Sequence, residues 1–223
     1  MVSATGASRR SAGRPLSRVL SQESITRAAL TLIETRGYEG LTMSSLARAL
    51  KVAPSSLYNH VESKADVLTL VQDHVMTQVD VSGFGLEPWE QAVRRFAWSY
   101  RDVFTRHTPL IPVIAVLPVS GAPQTLAVYE AVTHGFEQAG WPQPLIVPAI
   151  IALESFIFGS AFDATAPETI FESGQLAGHY PRFTGAVSAL KKDADHRQAD
   201  VAFGMGLDAL ILGLQARVVE HSR

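Results

Sequence analysis

The chain has 223 residues, of which 47% are hydrophobic, so it is long and apolar enough to form a substantial folded core. It contains no cysteine, which excludes disulfides and cysteine-ligated zinc, and its net charge is only −2. The first 20 residues are rich in Ser, Gly and Arg and show no secretory signal. The longest apolar runs, 110–119 and 145–153, are interrupted by prolines and are predicted to be too short to span a membrane. These features predict a cytoplasmic protein without a membrane partner.

Charge is distributed unevenly along the chain. Residues 1–64 contain nine Lys and Arg and four Glu, a net charge of +5, whereas residues 65–223 contain ten basic and 17 acidic residues, a net charge of −7. A basic N-terminal quarter on an acidic remainder is typical of a DNA-binding head attached to a body that does not bind DNA. The alternative is a solvated basic tail, because four of the nine positive charges are arginines within the first 20 residues.

The N-terminal region is predicted to fold as a small helical head behind a flexible basic arm at 1–20. Ser21 is a suitable N-cap for the first helix, and Gly37 is a suitable stop. Thr42 caps a second helix that ends near residue 50, and Pro54 is well placed to begin a third helix over 54–60. Ser63 begins a capping-box pattern before a fourth helix. The two short helices and tight turn within 42–64 have the layout of a helix-turn-helix.

The remainder of the chain is predicted to be a helical body. Val81–Glu87 is interpreted as the linker between a DNA-binding domain at 21–80 and an effector-binding and dimerisation domain at 81–223. Further helices are predicted over 88–106, 109–117, 123–139, 143–164 and 196–220, and residues 165–185 are predicted to be a long connection with at most one short helix. No segment alternates as a strand would, so the fold class is all-α, with an N-terminal three-helix helix-turn-helix head on a larger helical body.

Five motifs within 22–72 resemble the TetR family of bacterial transcriptional regulators. They are Ile25-x-x-Ala-Ala-Leu-x-Leu-Ile, Gly37-Tyr-x-Gly-Leu-Thr, Leu46-Ala-x-x-Leu, Val52-Ala-x-Ser-Ser-Leu-Tyr-x-His-Val and Lys64-x-x-Val-Leu. The body is more weakly similar to the tetracycline-repressor branch. The resemblance implies a ligand-responsive transcriptional regulator: a repressor that binds a palindromic operator as a homodimer and is released by a small-molecule effector. One position departs from the family pattern, because Lys51 occupies a turn that usually contains Gly.

The resemblance also implies which residues contact double-stranded DNA. Asn59 and Ser55 are best placed for base edges, since an Asn amide can pair bidentately with adenine. The alternatives are that Tyr58 packs on the first helix and that His60 is an interior histidine. The predicted contacts are Arg14, Arg18, Thr42, Ser44, Ser45, Pro54, Ser55, Ser56, Tyr58, Asn59, His60 and Lys64.

The last helix has a broad apolar surface that predicts self-association. The resemblance implies that it pairs with the helix near 143–164 in a homodimer, and glycines at 204, 206 and 213 are expected to allow close approach of the partner. The alternative is that this surface is entirely intrachain core. The apolar surface is formed by Val201, Met205, Leu207, Leu210, Ile211, Leu214 and Val218, together with Asp208.

The body also contains the predicted effector site. Aromatic rings with a few polar anchors are the usual composition of a small-molecule pocket. The resemblance places His107 at the magnesium-ligating histidine of the tetracycline repressor and Asp163 in the segment of an acidic pocket residue. No cofactor is predicted, and Mg²⁺ is expected only if the effector is a metal chelate. Effector binding is expected to shift the first body helix against the fourth helix. The candidate residues are Phe96, Tyr100, Phe104, His107, Tyr129, Glu154, Phe158, Phe162 and Asp163.

Two other classes of protein are the alternatives. A non-sequence-specific architectural DNA-binding protein would have an affinity that depends on salt but hardly on sequence. A helical enzyme is disfavoured, because the sequence contains no Ser-His-Asp arrangement, no phosphate-binding loop and no metal-binding helix motif.

Overall fold

The computed structural model of the chain describes residues 20–190 and 197–221, and every regular element within these ranges is helical. The all-α fold class is therefore confirmed. Short 3₁₀ turns lie at Tyr38–Gly40, Thr108–Leu110 and Gly174–Leu176. The helices are α1 (Gln22–Arg36), α2 (Met43–Leu50), α3 (Pro54–Leu57), α4 (Lys64–Met76), α5 (Trp89–Arg106), α6 (Ile111–Ile114), α7 (Pro123–Gln138), α8 (Gln143–Asp163), α9 (Pro181–Leu190) and α10 (Gln198–His221).

The head is built on capped helices, as the sequence predicts. Ser21, Thr42 and Ser63 each accept a hydrogen bond from the backbone N–H three residues later and complete a capping box. Gly37 ends α1 with a φ of 70°. The apolar faces of these helices meet in a core that includes Ile25, Ile33, Leu46, Leu57, Val67 and Val71, each with no exposed surface.

The third helix is shorter than predicted. Regular helix ends at Leu57 instead of continuing to residue 60, and Tyr58 to His60 form a turn. The N–H groups of both His60 and Val61 bond to the carbonyl of Leu57, at 2.9 and 3.0 Å, a shared acceptor that is common at the end of a helix. Leu57 and Val61 face the core, and this fixes the exposed side of the segment.

Lys51 occupies a left-handed backbone conformation between α2 and α3. Its φ of 58° and ψ of 41° make it the one non-glycine residue with positive φ in the described part of the chain. A side chain in this region costs about 1–2 kcal/mol, because Cβ crowds the following carbonyl. The tight turn nevertheless closes, since the N–H of Val52 bonds to the carbonyl of Ala47 at 3.0 Å.

The linker at 81–87 is packed against the body. The backbone N–H of Asp80, just before it, donates to Ser99 Oγ on α5 at 2.8 Å. Phe84 is buried against Phe96, with ring centroids 5.7 Å apart, and lies over Gly135 of α7. A Cβ at Gly135 would approach Phe84 to 2.3 Å, so glycine is required for this close contact. The head is consequently joined to the body through a fixed connection.

The body helices follow the predicted order with two corrections. The segment predicted as one helix at 109–117 is a 3₁₀ turn followed by the single α-helical turn of α6, because Pro109 and Pro112 interrupt the backbone bonding. The connection predicted over 165–185 contains the start of α9, which extends to Leu190. The described side chains of α9 are all at least partly exposed, so the helix lacks the buried stripe that would have identified it.

Helices α8 and α10 correct the expectation that the apolar runs are too short to span a membrane. Among the described residues, Gln143–Asp163 and Gln198–Val218 are long and apolar enough for a span, with mean hydropathies of 2.0 and 1.4. Helix α8 continues through Pro148 without a break. Length and composition alone do not distinguish such helices from those of a soluble core.

Part of the apolar surface predicted on α10 is intrachain core. Phe203, Leu207 and Ile211 are buried against the body, and Phe156 of α8 stacks on Phe203 at 5.3 Å. Gly206 allows this contact, since a Cβ there would lie 2.6 Å from the Phe156 ring. It therefore serves packing within the chain, whereas a Cβ at Gly213 would meet nothing within 4 Å.

We expect the Lys51→Gly variant to be more stable to urea than the native protein by about 1 kcal/mol, because glycine adopts positive φ without the Cβ clash. Lys51→Ala is the matched control, since it removes the same charge but retains the clash. Equal unfolding free energies for the two variants would contradict backbone strain at this position.

Candidate functional site

The side chains predicted to read DNA form an exposed surface on the head. Tyr58 is 54% exposed, and Asn59 and His60 are also exposed. The structure therefore contradicts both alternatives, in which Tyr58 packs on the first helix and His60 is an interior histidine. Ser55 and Pro54 are exposed and Ser56 is partly buried. The short α3 and the turn that follows it thus present a row of polar groups to solvent.

The start of α2 borders this surface. The hydroxyls of Thr42 and Ser45 are occupied in the capping box, whereas Ser44 is exposed on the outer side. Lys64 at the start of α4 places its ammonium 3.7 Å from the centre of the Tyr38 ring, in a cation–π contact. Thr42, Ser44 and Ser45 lie at the N-terminus of α2, a location suited to phosphate. Arg14 and Arg18 lie outside the described residues.

A second constellation of polar groups lies in the body, centred on Glu154. Glu154 Oε1 accepts hydrogen bonds from the hydroxyls of Tyr100 at 2.9 Å and Tyr129 at 2.7 Å. These residues belong to α8, α5 and α7, so three helices converge on one carboxylate. Sequence spacing predicted the individual residues as candidates, and the structure brings these three together.

Aromatic rings surround the Tyr100 side of the cluster. Tyr100 contacts Phe96, Phe104 and Phe158 with ring centroids 5.4, 5.1 and 5.5 Å apart, and Phe104 contacts Phe158 at 5.0 Å. Phe96 and Phe104 are fully buried, whereas Phe158, Tyr129 and Glu154 each keep some exposed surface. A polar centre among aromatic side chains has the composition expected of a small-molecule site. Two cavities in the described part of the chain lie elsewhere, beside Trp89 and beside Asp163.

The environment of Glu154 disfavours its charged form. Burial raises the pKa of Glu154, although the two phenol hydrogen bonds act in the opposite direction. Burial and the neighbouring carboxylate also raise the pKa of Tyr100 and of Tyr129, so both phenols remain protonated donors at neutral pH. The carboxylate therefore receives two neutral hydrogen bonds but no compensating positive charge from them.

His107 does not join this cluster. Its Nδ1 lies 3.1 Å from Glu34 Oε1 on α1, at ion-pair distance but without hydrogen-bond alignment. Burial lowers the pKa of His107, and Glu34 only partly opposes this effect. His107 thus contacts the head, because the chain turns towards α1 at the end of α5.

Two other candidate ligand residues also lie elsewhere. Phe162 is 64% exposed near the end of α8. Asp163 lines a separate cavity of about 520 Å³ together with Ala164, residues 166–172, Leu190 and residues 197–199. Helix α8 extends two turns beyond Glu154 and carries both side chains past the aromatic cluster. No group of three His, Asp or Glu suited to a metal ion occurs within the described ranges.

The sequence did not single out Asp73, which links the head to the body. Its Oδ1 accepts hydrogen bonds from the backbone N–H groups of Gln124 at 2.7 Å and Thr125 at 2.9 Å. These amides lie at the start of α7, whose own N-cap residue, Ala122, has no capping side chain. The N-cap of α7 is Ala122 and its first residue is Pro123. This Ala-Pro pair is the one sequence signal that the cap has to come from another segment.

We expect Glu154→Gln to stabilise the protein increasingly as pH rises. The raised folded-state pKa means that ionisation of Glu154 disfavours folding above the unfolded-state pKa of about 4.5, a penalty that glutamine avoids while its carbonyl still accepts both phenols. Urea unfolding at pH 5, 6 and 7, at fixed protein concentration, should show a widening gain over native protein. The exposed Glu130→Gln variant is the control, and a gain that is constant or shrinks with pH would contradict the assignment.

Comparisons with known families match both parts of the chain. Residues 25–71 match the model described as bacterial regulatory proteins, tetR family. Residues 85–218 match the tetracyclin repressor-like C-terminal domain, which covers more than half of the chain. The first match includes the helix-turn-helix surface, and the second includes the Glu154 cluster.

Individual relatives extend over most of the chain. The transcriptional repressor DrrR1 of Streptomyces coeruleorubidus is 26% identical over 91% of this chain and 80% of its own length. The class E tetracycline repressor of Escherichia coli is 25% identical over 90% of this chain and 93% of its own length. The crystal structure of the Streptomyces coelicolor TetR family protein ActR in complex with (S)-DNPA superimposes with a TM-score of 0.72 at 26% identity, covering 88% of this chain and 98% of ActR.

These matches confirm the family resemblance and favour a regulator over an enzyme. The chain belongs to the TetR family of bacterial regulatory proteins and is a ligand-responsive, DNA-binding regulator of transcription.

Proposed function

We propose that the protein is a cytoplasmic repressor that binds a palindromic operator as a homodimer and is released when a small-molecule effector enters the body. Residues 21–80 act as the DNA-binding domain, residues 1–20 as a basic arm, and residues 81–223 as the effector and dimerisation domain. The separation between the two family matches, at 72–84, supports this division. Two relatives are named as repressors, and ActR binds a small molecule, which supports repression and release.

The observation that carries this proposal is the exposed row of polar side chains on α3 and the following turn. Leu57 and Val61 anchor the segment in the core while Tyr58, Asn59 and His60 remain exposed. Rigid presentation of a few side chains is what major-groove reading requires. Asn59 is assigned to a base edge, and Tyr58, His60 and Lys64 are assigned to the DNA backbone.

The experiment begins with selection of bound sequences from a random DNA pool, which should yield a palindromic consensus. We expect Asn59→Ala to weaken binding to that consensus by about ten- to 100-fold, because a bidentate base contact is lost. Fluorescence anisotropy at one fixed salt concentration measures this effect. Gln91→Ala, which removes an exposed amide from α5, should bind as the native protein does. An architectural DNA-binding protein would instead yield no consensus.

Dimerisation is supported by apolar side chains that the chain leaves uncovered. Val147 and Ile151 of α8 are 61% and 57% exposed, and Met205 and Leu212 of α10 are 72% and 66% exposed. The other faces of both helices are already packed in the core, through residues such as Leu153 and Leu207. A second copy would cover the two exposed faces together. This arrangement also supplies the second recognition helix that a palindrome requires.

We expect Met205→Glu to weaken dimerisation by at least about 100-fold, because each protomer would place an unpaired carboxylate in an apolar interface. Sedimentation velocity over a concentration series measures the dissociation constant. Val116→Glu alters a residue that is 80% exposed beyond α6 and away from both helices, so it should leave the dimer unchanged. A stable Met205→Glu dimer would contradict the proposed interface.

The helix contacts support a revised route from effector to DNA. We expected α5 to move against α4, but among the body helices α4 packs mainly on α7, where Asp73 binds the amides of Gln124 and Thr125. Tyr129 lies one helical turn beyond Thr125 on α7 and bonds to Glu154. A ligand that displaces Tyr129 would therefore act on the helix that holds α4. The effect requires the ligand to bind the DNA-free state more tightly.

A further inference from the structure

The chemical class of the effector can be inferred from the charged and polar groups around Glu154. In the part of the chain that the structure describes, no lysine, arginine or histidine forms an ion pair with Glu154. Its two polar contacts are the phenols of Tyr100 and Tyr129, and both use Oε1. A carboxylate in this environment is stabilised by protonation or by a cation that joins it. The second carboxylate oxygen, Oε2, is left for a further donor.

The one buried arginine in the described part of the chain is directed to other partners. Arg101 follows Tyr100 on α5 and is only 3% exposed, yet its Nη1 pairs with Asp200 Oδ1 at 2.8 Å and its Nε donates to Ser160 Oγ at 2.9 Å. Its guanidinium also lies 4.8 Å from the centre of the Phe203 ring. Packing on α10 therefore fixes Arg101 away from Glu154. Arg101 therefore has a counter-ion within the chain, whereas Glu154 has two hydrogen-bond donors but no counter-ion among the described residues.

The walls of the cluster suit an organic cation. The rings of Tyr100, Tyr129 and Phe158 adjoin Glu154, and an ammonium near an aromatic face gains a cation–π interaction in addition to the ion pair. Phe104 and Phe96 are buried behind Tyr100 and hold its ring in place beside Glu154. Glu154, Tyr129 and Phe158 each keep some exposed surface, and these are the residues that a ligand would meet first.

We infer that the effector carries a protonated amine on an aromatic or polycyclic body and that Glu154 binds this amine. The inference rests on the proposed effector site and specifies its ligand class. The amine donates to Glu154 Oε2 while the phenols of Tyr100 and Tyr129 hold Oε1. Burial raises the pKa of Glu154, so an arriving cation also stabilises the ionised form. A neutral ligand lacks this effect.

The test compares ligands that differ only in charge. Three amines are paired with the alcohols of the same ring system: tryptamine with tryptophol, 2-naphthylethylamine with 2-naphthylethanol, and 9-aminomethylanthracene with 9-anthracenemethanol. Isothermal titration into the full-length protein should show at least one amine binding about tenfold or more tightly than its alcohol, the difference expected of a charged hydrogen bond. Addition of EDTA should leave this preference unchanged.

Variants then assign the preference to Glu154. Glu154→Gln retains an acceptor for both phenols, so we expect it to fold normally but to prefer amine over alcohol by less than about threefold. Glu130→Gln removes one exposed carboxylate from the neighbouring helix and should retain the full preference. Circular dichroism and operator affinity confirm that both variants are folded. Equal binding of amines and alcohols, binding that requires Mg²⁺, failure of every amine to bind at millimolar concentration, or an amine preference that survives in Glu154→Gln would overturn the inference.

Operator anisotropy in the same titrations separates this inference from the proposed function. Amines that bind through Glu154 without releasing DNA would support the ligand class and contradict effector-driven release. Release of DNA by the alcohols, with equal effect in Glu154→Gln, would support release and contradict the ligand class. Release by an amine in native protein and its loss in Glu154→Gln would support both.

Discussion

The junction between α4 and α7 is the contact on which the regulatory arrangement depends. The first amides of a helix require acceptors, and α7 has none of its own because its N-cap is Ala122. Asp73 provides the acceptor from the DNA-binding head, with a negative charge at the positive end of the α7 dipole. Thr125 is fully buried on the inner side of this contact, whereas Gln124 on its outer side is exposed. The head and body thus share a helix terminus that neither can complete alone.

The location of this junction relates the two functional surfaces. Helix α4 begins at Lys64 beside the recognition segment and, at 13 residues, spans about 20 Å. Asp73 lies in its last two turns, on the side of the body. Helix α7 continues from the junction to Tyr129 and hence to Glu154. A displacement at the carboxylate therefore has a short, continuous path of packed helices and hydrogen bonds to the DNA-contact surface. Continuity alone does not create coupling, which requires two states that a ligand distinguishes.

Much of the head was predictable because its determinants are local. Caps at Ser21, Thr42 and Ser63 and the proline at position 54 act within one helical turn, and each has the predicted role. The predicted length of α3 was wrong. The end of the regular helix depends on the turn beyond it, where two N–H groups share the Leu57 carbonyl. Helix α9 was largely missed because it lacks the buried stripe on which periodicity relies.

The body site was predictable as a list of residues but not as an arrangement. Tyr100, Tyr129 and Glu154 are separated by up to 54 positions, and only the packing of three helices brings them together. The same packing takes His107 to Glu34 and leaves Asp163 at another cavity, which spacing within a single helix could not reveal. The sequence did not predict a role for Asp73, because an isolated acidic residue on a helix is ordinarily solvated.

The two buried charges of the body show how structural and ligand-binding polar groups can be distinguished. Arg101 pairs with Asp200 and packs on Phe203, so its charge stabilises the attachment of α10 to α5. Glu154 has hydrogen bonds but no counter-ion within the described chain, and it remains partly accessible. Selection for stability alone would favour a glutamine at this position, since an amide satisfies both phenols without the cost of a buried charge. A carboxylate at position 154 is therefore better explained by a cation that arrives from outside the chain than by the folding of the chain itself.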